Sequence, residues 1–429
     1  MIFKCIYGLG RTIRNPSLKS ITHFLQESQK YSLSELEAYQ LQKLKALVKH
    51  AYQYSEYYQK AFNENQVVPE DIKTLSDIKK LPIITKSDLL KFNSEIHSSF
   101  NFKKTFKAKT SGTSGESLVF KRNEYSDSFN RAVINFNYKN YNVTPWSRNG
   151  YFWGFNSTFK ERLKTRFLDL LQNRFRVFSY SEKELEGFIK KLKHAKYLHG
   201  YSSSIYQTAK KINEGNFSKP SNILMVKGTS EKIFDFYQPE IKAAFGTKMI
   251  SEYGATESGI IAFECPKGCM HLNMEGVIVE EVNNEILVTN LHMLSFPIIR
   301  YKLGDYIKLA AKDTACKCGK KHVILLEVIG RIGETVYGIS NIYPSLYFYY
   351  IFKNISERYH LNLEYQVLQP KKGELIFNIA SVLTDREQEI LTNEIDAYFK
   401  NDMRYTLNDN MTFKTQKGKK KSFISTINL

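Results

Sequence analysis

A short segment rich in glycine and hydroxyl side chains is the first part of the chain whose residue types suggest chemistry. Between Thr110 and Gly115 the sequence TSGTSG places two glycines among four hydroxyl residues, just before an apolar stretch that begins at Leu118. Glycine lets backbone N–H groups converge on an anion, and Ser and Thr hydroxyls add donors. The segment therefore predicts a phosphate-binding turn followed by a strand. It is not a P-loop of the GxxxxGKS or GxxxxGKT type, and an ordinary surface turn is an alternative.

The cysteines suggest a second kind of chemistry. Four of the five lie between positions 265 and 318, in a C-x3-C-x-H motif and a C-x-C motif. The candidate ligands are Cys265, Cys269, His271, Cys316 and Cys318. Thiolate and imidazole groups in such motifs bind tetrahedral Zn²⁺, so we expect a metal that ties two loops together, with free buried thiols as the alternative. Five cysteines in 429 residues do not suit a disulfide scaffold.

Composition limits the class of protein and its partners. The 62 basic and 43 acidic residues give a net charge of +19, which would suit nucleic acid, an anionic membrane surface or anionic substrates. The lysines are scattered and no arginine-rich arm is present, so we expect a Lys-rich surface and no nucleic-acid partner. No apolar stretch is long enough to span a bilayer, and the opening MIFKCIYGLGRTIR lacks a cleavage site. We therefore expect a cytoplasmic protein without stable membrane insertion.

Hydrophobic periodicity predicts the elements that position these groups. Apolar residues recur at three- and four-residue intervals from Leu33 to about Phe62, which predicts amphipathic helices, and a further helix is expected after a cap at Ser87 and Asp88. Units of strand, turn and helix then follow in series, among them NILMVKGTSEKI with a turn at Gly228. Such a series indicates a parallel sheet with helices on its faces.

The pattern changes beyond Gly276. The sequence GVIVEEVNNEILVTNL alternates apolar and polar residues around Asn283 and Asn284, which predicts an antiparallel hairpin. We therefore predict an α/β fold with two domains. The large N-terminal domain, residues 1–330, has mainly parallel sheets flanked by helices plus a smaller β-rich part. Residues 331–429 form a small mobile α+β domain.

Five short segments follow the hydroxyl-rich turn in order along the chain. They are VKGTSE (226–231), SEYGATESG (251–259), IIRYKLGDYI (298–307), VIGRIGETV (328–336) and KGKKKSFI (417–424). Each alone would occur by chance, but the ordered set is specific. It resembles the adenylate-forming (AMP-binding) superfamily, and within it the branch of phenylacetate-CoA ligases and their relatives in capsular polysaccharide clusters. The resemblance covers nearly the whole chain.

The resemblance implies a nucleotide site built from these segments. The phosphate loop would consist of Ser111, Gly112, Thr113, Ser114 and Gly115, closing over the outer phosphates of ATP. The adenine-contacting residues would be Gly228, Thr229, Ser230, Glu231, Tyr253 and Gly254. Asp305 would accept both ribose hydroxyls, and Arg331 would reach the nucleotide from the domain junction. A buried strand tyrosine is the alternative for Tyr253.

The resemblance also implies catalytic groups. Thr256 would contact phosphate and Glu257 would bind Mg²⁺, a hard cation that suits one carboxylate plus phosphate oxygens. Lys419 would swing into the site for the first half-reaction and bridge the carboxylate and the α-phosphate. The structural alternatives are an exposed acid at a helix start for Glu257 and a solvated basic tail for Lys419.

Relatives in this branch often carry zinc on C-x5-H and C-x-C spacing. This implies that Cys265, His271, Cys316 and Cys318 bind a structural Zn²⁺ and that Cys269 is a spare thiol. For the acyl pocket, aromatic and neighbouring residues are wall candidates because apolar pockets bind organic acids. These are Phe152, Trp153, Phe155, His199, Gly200 and Tyr201, with an ordinary core role as the alternative.

The implied function is an ATP- and Mg²⁺-dependent ligation in two steps. A small-molecule carboxylic acid reacts with ATP to give acyl-AMP and pyrophosphate, and an acceptor then takes the acyl group. We expect coenzyme A as the acceptor, with an amine or a sugar in surface polysaccharide biosynthesis as the alternative. The C-terminal domain would rotate about residues 331–334 between the steps. A nucleotide-binding relative without catalysis is a further alternative.

Overall fold

The computed structural model describes residues 2–110, 117–152, 159–178, 182–215, 217–230, 233, 235, 237–283, 285–330, 335–361, 363–411, 415–416, 419–420 and 423–427. Helices occupy much of the first hundred residues, as the periodicity predicts. They are α1 (Ile2–Arg14), α2 (Leu18–Ser28), α3 (Leu33–Tyr54), α4 (Glu56–Glu64), α5 (Lys86–Lys91) and α6 (Asn93–Ile96), with 3-10 turns at Pro69–Asp71 and Leu75–Lys80.

Side-chain caps decide where these helices begin. The helices predicted from Leu33 to about Phe62 are confirmed as α3 and α4, with Ser55 between them accepting a hydrogen bond from the Tyr58 N–H. The cap predicted at Ser87 and Asp88 is wrong. Thr85 caps α5, because its hydroxyl accepts from the Asp88 N–H at 3.3 Å while the Asp88 carboxylate accepts from the Thr85 N–H at 2.8 Å. This reciprocal box needs an acid three residues after the cap.

A hairpin and a series of strands and helices follow. In chain order they are β1 (Thr105–Lys109), β2 (Val119–Asn123), α7 (Glu124–Lys139), β3 (Asn149–Phe152), α8 (Phe159–Leu171), β4 (Arg174–Arg176), α9 (Glu182–Leu192), β5 (Tyr197–Tyr201), α10 (Ser202–Glu214), β6 (Met225–Thr229), α11 (Tyr237–Phe245) and β7 (Met249–Ala255). Strands β1 and β2 pair antiparallel, so the 111–116 segment connects two strands of a hairpin. The strand predicted after this segment is confirmed as β2.

The remaining strands of the N-terminal part are mostly antiparallel. They are β8 (Gly259–Glu264), β9 (Met270–Leu272), β10 (Val277–Val282), β11 (Glu285–Asn290), β12 (Tyr301–Leu309) and β13 (Ile324–Gly330). The hairpin predicted after Gly276 is confirmed, because β10 pairs with β11 in register from Val277 opposite Asn290 to Val282 opposite Glu285.

One sheet unites these strands. Among the described residues it has eleven strands in the order β10-β11-β12-β13-β9-β8-β7-β6-β5-β3-β4. Strands β3 to β7 are parallel to one another, whereas the pairings from β7 through β8 to β10 are antiparallel. The predicted β-rich part is therefore a continuation of the parallel sheet. Buried Arg300 links the sheet to the N-terminal helices, since its guanidinium pairs with Glu280 and donates to the Leu81 carbonyl.

The chain beyond residue 335 has its own sheet and its own hydrophobic core. Its elements are β14 (Thr335–Tyr337), β15 (Ile342–Pro344), α12 (Leu346–Tyr359), β16 (Tyr365–Gln369), β17 (Glu374–Ile379), α13 (Asp385–Phe399), β18 (Arg404–Asn408), β19 (Thr415–Gln416), β20 (Lys419–Lys420) and β21 (Phe423–Ser425). A four-stranded sheet has the order β18-β17-β16-β21. The rings of Tyr201 and Tyr350 meet at 5.0 Å between the two parts of the chain.

The protein thus has the predicted α/β class, with a large sheet flanked by helices and a smaller α+β part. No helix in the described part of the chain is both long enough and apolar enough to cross a bilayer.

Substituting the α5 cap tests the corrected boundary. We expect Thr85→Ala to lower the free energy of unfolding by about 1 kcal/mol, because it removes an N-cap hydroxyl. Ser87→Ala is the matched control, since exposed Ser87 has no acid three residues later to form a box, and its stability should stay near that of the wild type. Urea unfolding of the three proteins measures both values. Equal losses for the two variants would contradict the assignment of the cap.

Candidate functional site

Two predicted nucleotide-binding residues from distant strands are in direct contact. The Tyr253 hydroxyl, at the carboxyl end of β7, donates to Asp305 Oδ2 of β12 at 2.7 Å. In a flat sheet these strands would lie about 19 Å apart, because three others separate them at about 4.8 Å per step. The sheet therefore curls, and its curvature makes a concave site between an aromatic ring and a carboxylate.

Glu257 lies in the turn that follows β7. It is buried, and its Oε1 accepts a hydrogen bond from the Tyr301 hydroxyl at 3.0 Å. The exposed helix-start alternative for Glu257 is therefore wrong. This hydrogen bond engages one carboxylate oxygen, which suits a carboxylate that also serves as a hard-cation ligand.

Arg122 brings a buried cation to the same turn. It follows the predicted phosphate-binding segment at the end of β2, and its Nη2 donates to the Thr256 carbonyl oxygen. Its Nη1 lies 3.7 Å from Asp127 Oδ1. Its Nε is buried and has no hydrogen-bond partner among the described residues. Burial lowers the pKa of Arg122, partly offset by Asp127. A guanidinium with an unsatisfied buried donor beside Thr256 suits an anionic ligand.

Gly228 lies inside strand β6, so the turn predicted there is wrong. It is in register with Gly200 on one side and Ser251 on the other. A Cβ at this position would lie 2.4 Å from the Ser202 hydroxyl oxygen. Glycine is thus required for close packing of strand against helix, and the chain continues past it to Thr229 before leaving the sheet.

A row of polar side chains crosses the parallel strands on one face. The register aligns Arg176, Tyr151, His199 and Lys227 across β4, β3, β5 and β6. Lys227 Nζ forms a buried ion pair with Glu252 Oε2 at 2.6 Å. Covered faces of parallel sheets are normally apolar. The row lies near the carboxyl ends of the strands, where ligands bind in open α/β sheets.

Hydrogen bonds hold the row in place. Asn149 Oδ1 accepts from Arg174 Nε at 3.2 Å and lies 3.1 Å from His199 Nε2. Burial, followed by the charges of Arg174 and Lys227, lowers the pKa of His199 well below its usual value. The imidazole is therefore neutral at pH 7. The row combines cations with a neutral donor in a water-poor environment.

The four metal ligands that the resemblance implies, out of five candidates, lie together. One ligand atom from each of Cys265, His271, Cys316 and Cys318 lies within 4.8 Å of the others. The sulfurs of Cys265 and Cys316 are 3.7 Å apart, and Cys318 Sγ lies 3.2 Å from His271 Nε2. Two sulfurs on one tetrahedral zinc are separated by about 3.8 Å. The spacing of the four atoms therefore fits a single zinc ion.

The surroundings of this cluster favour a cation. The His271 Nδ1 lies 3.2 Å from the His322 carbonyl oxygen, which directs Nε2 toward the thiols. Burial lowers the pKa of His271 to about 4, so the imidazole is neutral at pH 7. Burial raises the pKa of Cys318 to about 12, and a positive metal ion would reverse this effect on the thiol. Cys269 lies outside the group of four, although its carbonyl accepts from the Cys265 N–H.

Comparisons with known proteins agree on one group. No protein-family model matches the chain. Protein CapK of Staphylococcus aureus is 24% identical over 288 residues, which is 65% of this chain and 64% of CapK. The phenylacetate-coenzyme A ligase of Aromatoleum evansii is 45% identical over 65 residues, 15% of either chain. The corresponding ligase of Escherichia coli is 45% identical over 58 residues, 14% of this chain and 13% of the ligase.

These similarities support the adenylate-forming superfamily, in the branch of CapK and the phenylacetate-CoA ligases.

Solved structures give the same fold. A crystal structure of 2-hydroxyisobutyryl-CoA ligase with 2-HIB-AMP and CoA in the thioesterification state has a TM-score of 0.65 at 14% identity, covering 93% of this chain and 91% of that one. The same ligase in the postadenylation state has a TM-score of 0.62 at 13% identity, covering 93% and 91%. At this identity the likeness establishes the shared adenylate-forming fold.

The structure places part of the predicted site. Tyr253, Gly254, Thr256, Glu257 and Asp305 lie in β7, in the turn after it and in β12. Ser111–Gly115, Glu231 and Arg331 lie outside the described residues, as do Trp153 and Phe155 of the proposed acyl wall. The backbone of Lys419 lies in the short strand β20, which pairs with β19, and its side chain is outside the description.

Two residues at the site were not predicted from the sequence. Arg122 lies shortly after the hydroxyl-rich turn in the sequence, and Tyr301 belongs to the IIRYKLGDYI segment. A lone arginine at the end of a short strand was the only available signal for the former. Their partners, Thr256 and Glu257, are 134 and 44 residues away in the sequence.

Metal analysis tests the thiol cluster. We expect chelator-free protein to contain about one zinc per chain, because three thiols and one imidazole form a closed tetrahedral set. Cys318→Ser should lose the zinc and lower the melting temperature, whereas Cys269→Ser, the matched control, should keep both near wild type. Elemental analysis and thermal unfolding measure these outcomes. Zinc-free wild type, or equal zinc loss in both variants, would contradict the proposed ligand set.

Proposed function

We propose that this protein is an ATP- and Mg²⁺-dependent ligase. It would adenylate a carboxylic acid with release of pyrophosphate, and then transfer the acyl group to coenzyme A. The observation that carries the proposal is the contact of Tyr253 with Asp305 beside Thr256 and Glu257. It supports a nucleotide cleft in which a ring faces adenine and a carboxylate faces ribose.

Several residues would bind the nucleotide and stabilise the charge on its phosphates. Asp305 would accept the ribose hydroxyls while Tyr253 holds its carboxylate in position. Arg122 would fix the backbone at Thr256 and add positive charge near the phosphates, which stabilises charge that develops as pyrophosphate leaves. The segment Ser111–Gly115 and Arg331 would complete the nucleotide contacts. These contacts align the carboxylate of the acid with the α-phosphate.

Glu257 would hold the magnesium ion. Its buried carboxylate has one oxygen fixed by Tyr301, and this anchor limits the number of positions that the second oxygen can take. When bound, Mg²⁺ would neutralise negative charge on the phosphates. Cys265, His271, Cys316 and Cys318 would hold a structural zinc, which ties the loop before β9 to the loop before β13.

Residues 1–330 and 331–429 would act as two domains. The C-terminal domain would rotate about residues 331–334 between the half-reactions and bring Lys419 to the site for adenylation. Support for this division comes from the separate core beyond residue 335. Solved relatives of the same fold are named for postadenylation and thioesterification states, which fits two arrangements of one enzyme.

The polar row also suggests which kind of carboxylic acid is the substrate. This inference rests on the proposed ligase activity. Lys227 and Glu252 form a buried ion pair on the same sheet face as His199, a predicted wall residue of the acyl pocket. Buried charges are retained where they bind or orient other polar groups. We therefore infer an acid that carries hydroxyl, amino or further carboxyl groups in addition to the reacting carboxylate.

A second candidate function differs only in the acceptor. CapK is the relative that matches the greatest length of this chain among those described above. The resemblance of this sequence to relatives in capsular polysaccharide clusters favours an amine or a sugar as acceptor instead of coenzyme A. Pyrophosphate release without coenzyme A but with turnover on an amine or sugar would identify this case.

Separating the two half-reactions tests the ligase proposal. We expect Lys419→Ala to lower pyrophosphate release about 100-fold or more, because it removes a cation that stabilises the adenylation transition state. Thioester formation from preformed acyl-AMP should be spared. Lys420→Ala is the matched control and should keep both activities. Equal loss of both half-reactions, or a larger effect at Lys420, would contradict the role of Lys419. If the wild type released no pyrophosphate with any acid in a panel of carboxylic acids, the ligase proposal itself would be contradicted.

Replacing the buried ion pair tests the polarity of the acid. The double variant Lys227→Met/Glu252→Leu removes both charges together, because removing one would leave a buried unpaired charge. We expect its kcat/KM for polar acids to fall by about tenfold, with apolar acids unaffected or improved. The KM for ATP should not change.

The control for this experiment is a pair on α10 outside the polar row, half-buried Lys210 and exposed Glu214, whose charged groups lie 3.8 Å apart. Lys210→Met/Glu214→Leu should leave acid preference unchanged. If kcat/KM of the buried double variant falls equally for polar and apolar acids while its melting temperature is unchanged, the ion pair does not contribute to acid selection.

A further inference from the structure

Two neighbouring helices expose apolar side chains that the proposed ligase activity does not use. Among the large apolar residues of the described chain, seven are more than 60% exposed, and six of these lie on α1 or α8. The six are Ile2 (67%), Leu9 (65%), Ile13 (66%), Leu163 (61%), Phe167 (61%) and Leu170 (61%). The seventh is Val382 at 69%. This concentration on two helices separates the feature from scattered exposed residues, which need no explanation.

The spacing places each set along one face of its helix. Ile2, Leu9 and Ile13 follow one another at intervals of seven and four residues, which keeps them on one side of α1. Leu163, Phe167 and Leu170 follow at intervals of four and three on α8. The stripes have the periodicity of core-facing helices, yet they face solvent.

Contacts on the opposite faces fix this orientation. On α1 the Tyr7 ring packs on Trp146 at 5.5 Å, and Arg14 lies 3.8 Å from the Asp127 carboxylate. On α8 buried Asp169 pairs with Arg176 at 2.6 Å. Rolling either helix to bury its apolar stripe would break these contacts. The helices are also neighbours, because α1 packs beside α8.

The charge of this surface is strongly biased. Helices α1 and α8 together contain seven basic residues and two acidic residues. One of the two acids is Asp169, which is buried and paired and so contributes little to the outer surface. Lys4, Lys160 and Lys164 are exposed. Apolar stripes bordered by lysine and arginine are typical of helices that lie in the interface of an anionic membrane.

We propose that α1 and α8 form a docking surface for a bilayer rich in anionic lipids. The apolar stripes would enter the boundary between headgroups and acyl chains, while the lysines and arginines contact the lipid phosphates. The binding is peripheral, since neither helix spans the membrane. A second copy of this chain is the less favourable occupant, because a symmetric contact of this surface would place like charges opposite each other.

Vesicle co-sedimentation of the full chain tests the proposal. Wild-type protein should bind vesicles of phosphatidylcholine mixed with phosphatidylglycerol more tightly than vesicles of phosphatidylcholine alone, and added salt should weaken the binding. The triple variant Leu163→Ser/Phe167→Ser/Leu170→Ser should bind about tenfold or more weakly. Lys160→Glu/Lys164→Glu should lose the preference for anionic vesicles.

Val382→Ser is the matched control, because it removes an equally exposed apolar residue elsewhere, and it should bind as wild type does. All substituted residues are exposed, so the melting temperatures should agree. Failure of wild type to bind anionic vesicles, or equal binding by the triple variant, would overturn the proposal. So would a dimer in light scattering that the triple variant abolishes, since a second copy would then cover the surface. Ligase activity in solution is a separate measurement, so either idea can fail alone.

Discussion

Curvature of the eleven-stranded sheet is the constraint on which the candidate site depends. Tyr253 and Asp305 belong to strands with three others between them, and their 2.7 Å hydrogen bond forms only because the sheet bends. The same bend brings Tyr301 to Glu257 and leaves the carboxyl ends of the parallel strands facing a concavity. A flat sheet with the same strand order would leave these residues on separate surfaces.

The features that could be predicted from the sequence are those recorded in local patterns. Two short apolar runs on either side of Asn283 gave the β10–β11 hairpin, and three- and four-residue spacing gave α3 and α4. Motif spacing gave five candidate metal ligands, and the family resemblance selected the four that lie together, Cys265, His271, Cys316 and Cys318. The helix-cap residue of α5 and the structural role of Gly228 were predicted wrongly. Gly228 resembles a turn residue locally, and only its strand neighbours and Ser202 show why a side chain cannot fit there.

Long-range polar contacts could not be predicted in the same way. Arg122 meets Thr256 across 134 residues, and the row from Arg176 to Lys227 exists only through the register of four strands. A polar residue inside each apolar strand was the single local hint. Burying these groups is unfavourable unless they are paired, and their concentration at one end of the sheet breaks the usual preference for apolar strands. Buried polar residues that break this preference are typical of ligand-binding sites.

The rings of Tyr201 and Tyr350 form a contact between the N-terminal and C-terminal parts of the molecule. Tyr201 ends the strand that carries His199, whereas Tyr350 belongs to α12, so the contact joins the polar sheet face to the C-terminal region. Aromatic pairs of this kind contribute about 0.5–1.5 kcal/mol beyond their buried area. Rotation of the C-terminal region away from the large sheet would separate the two rings and expose both of them to water. The pair is thus one described contact between the strand of the polar row and the C-terminal region.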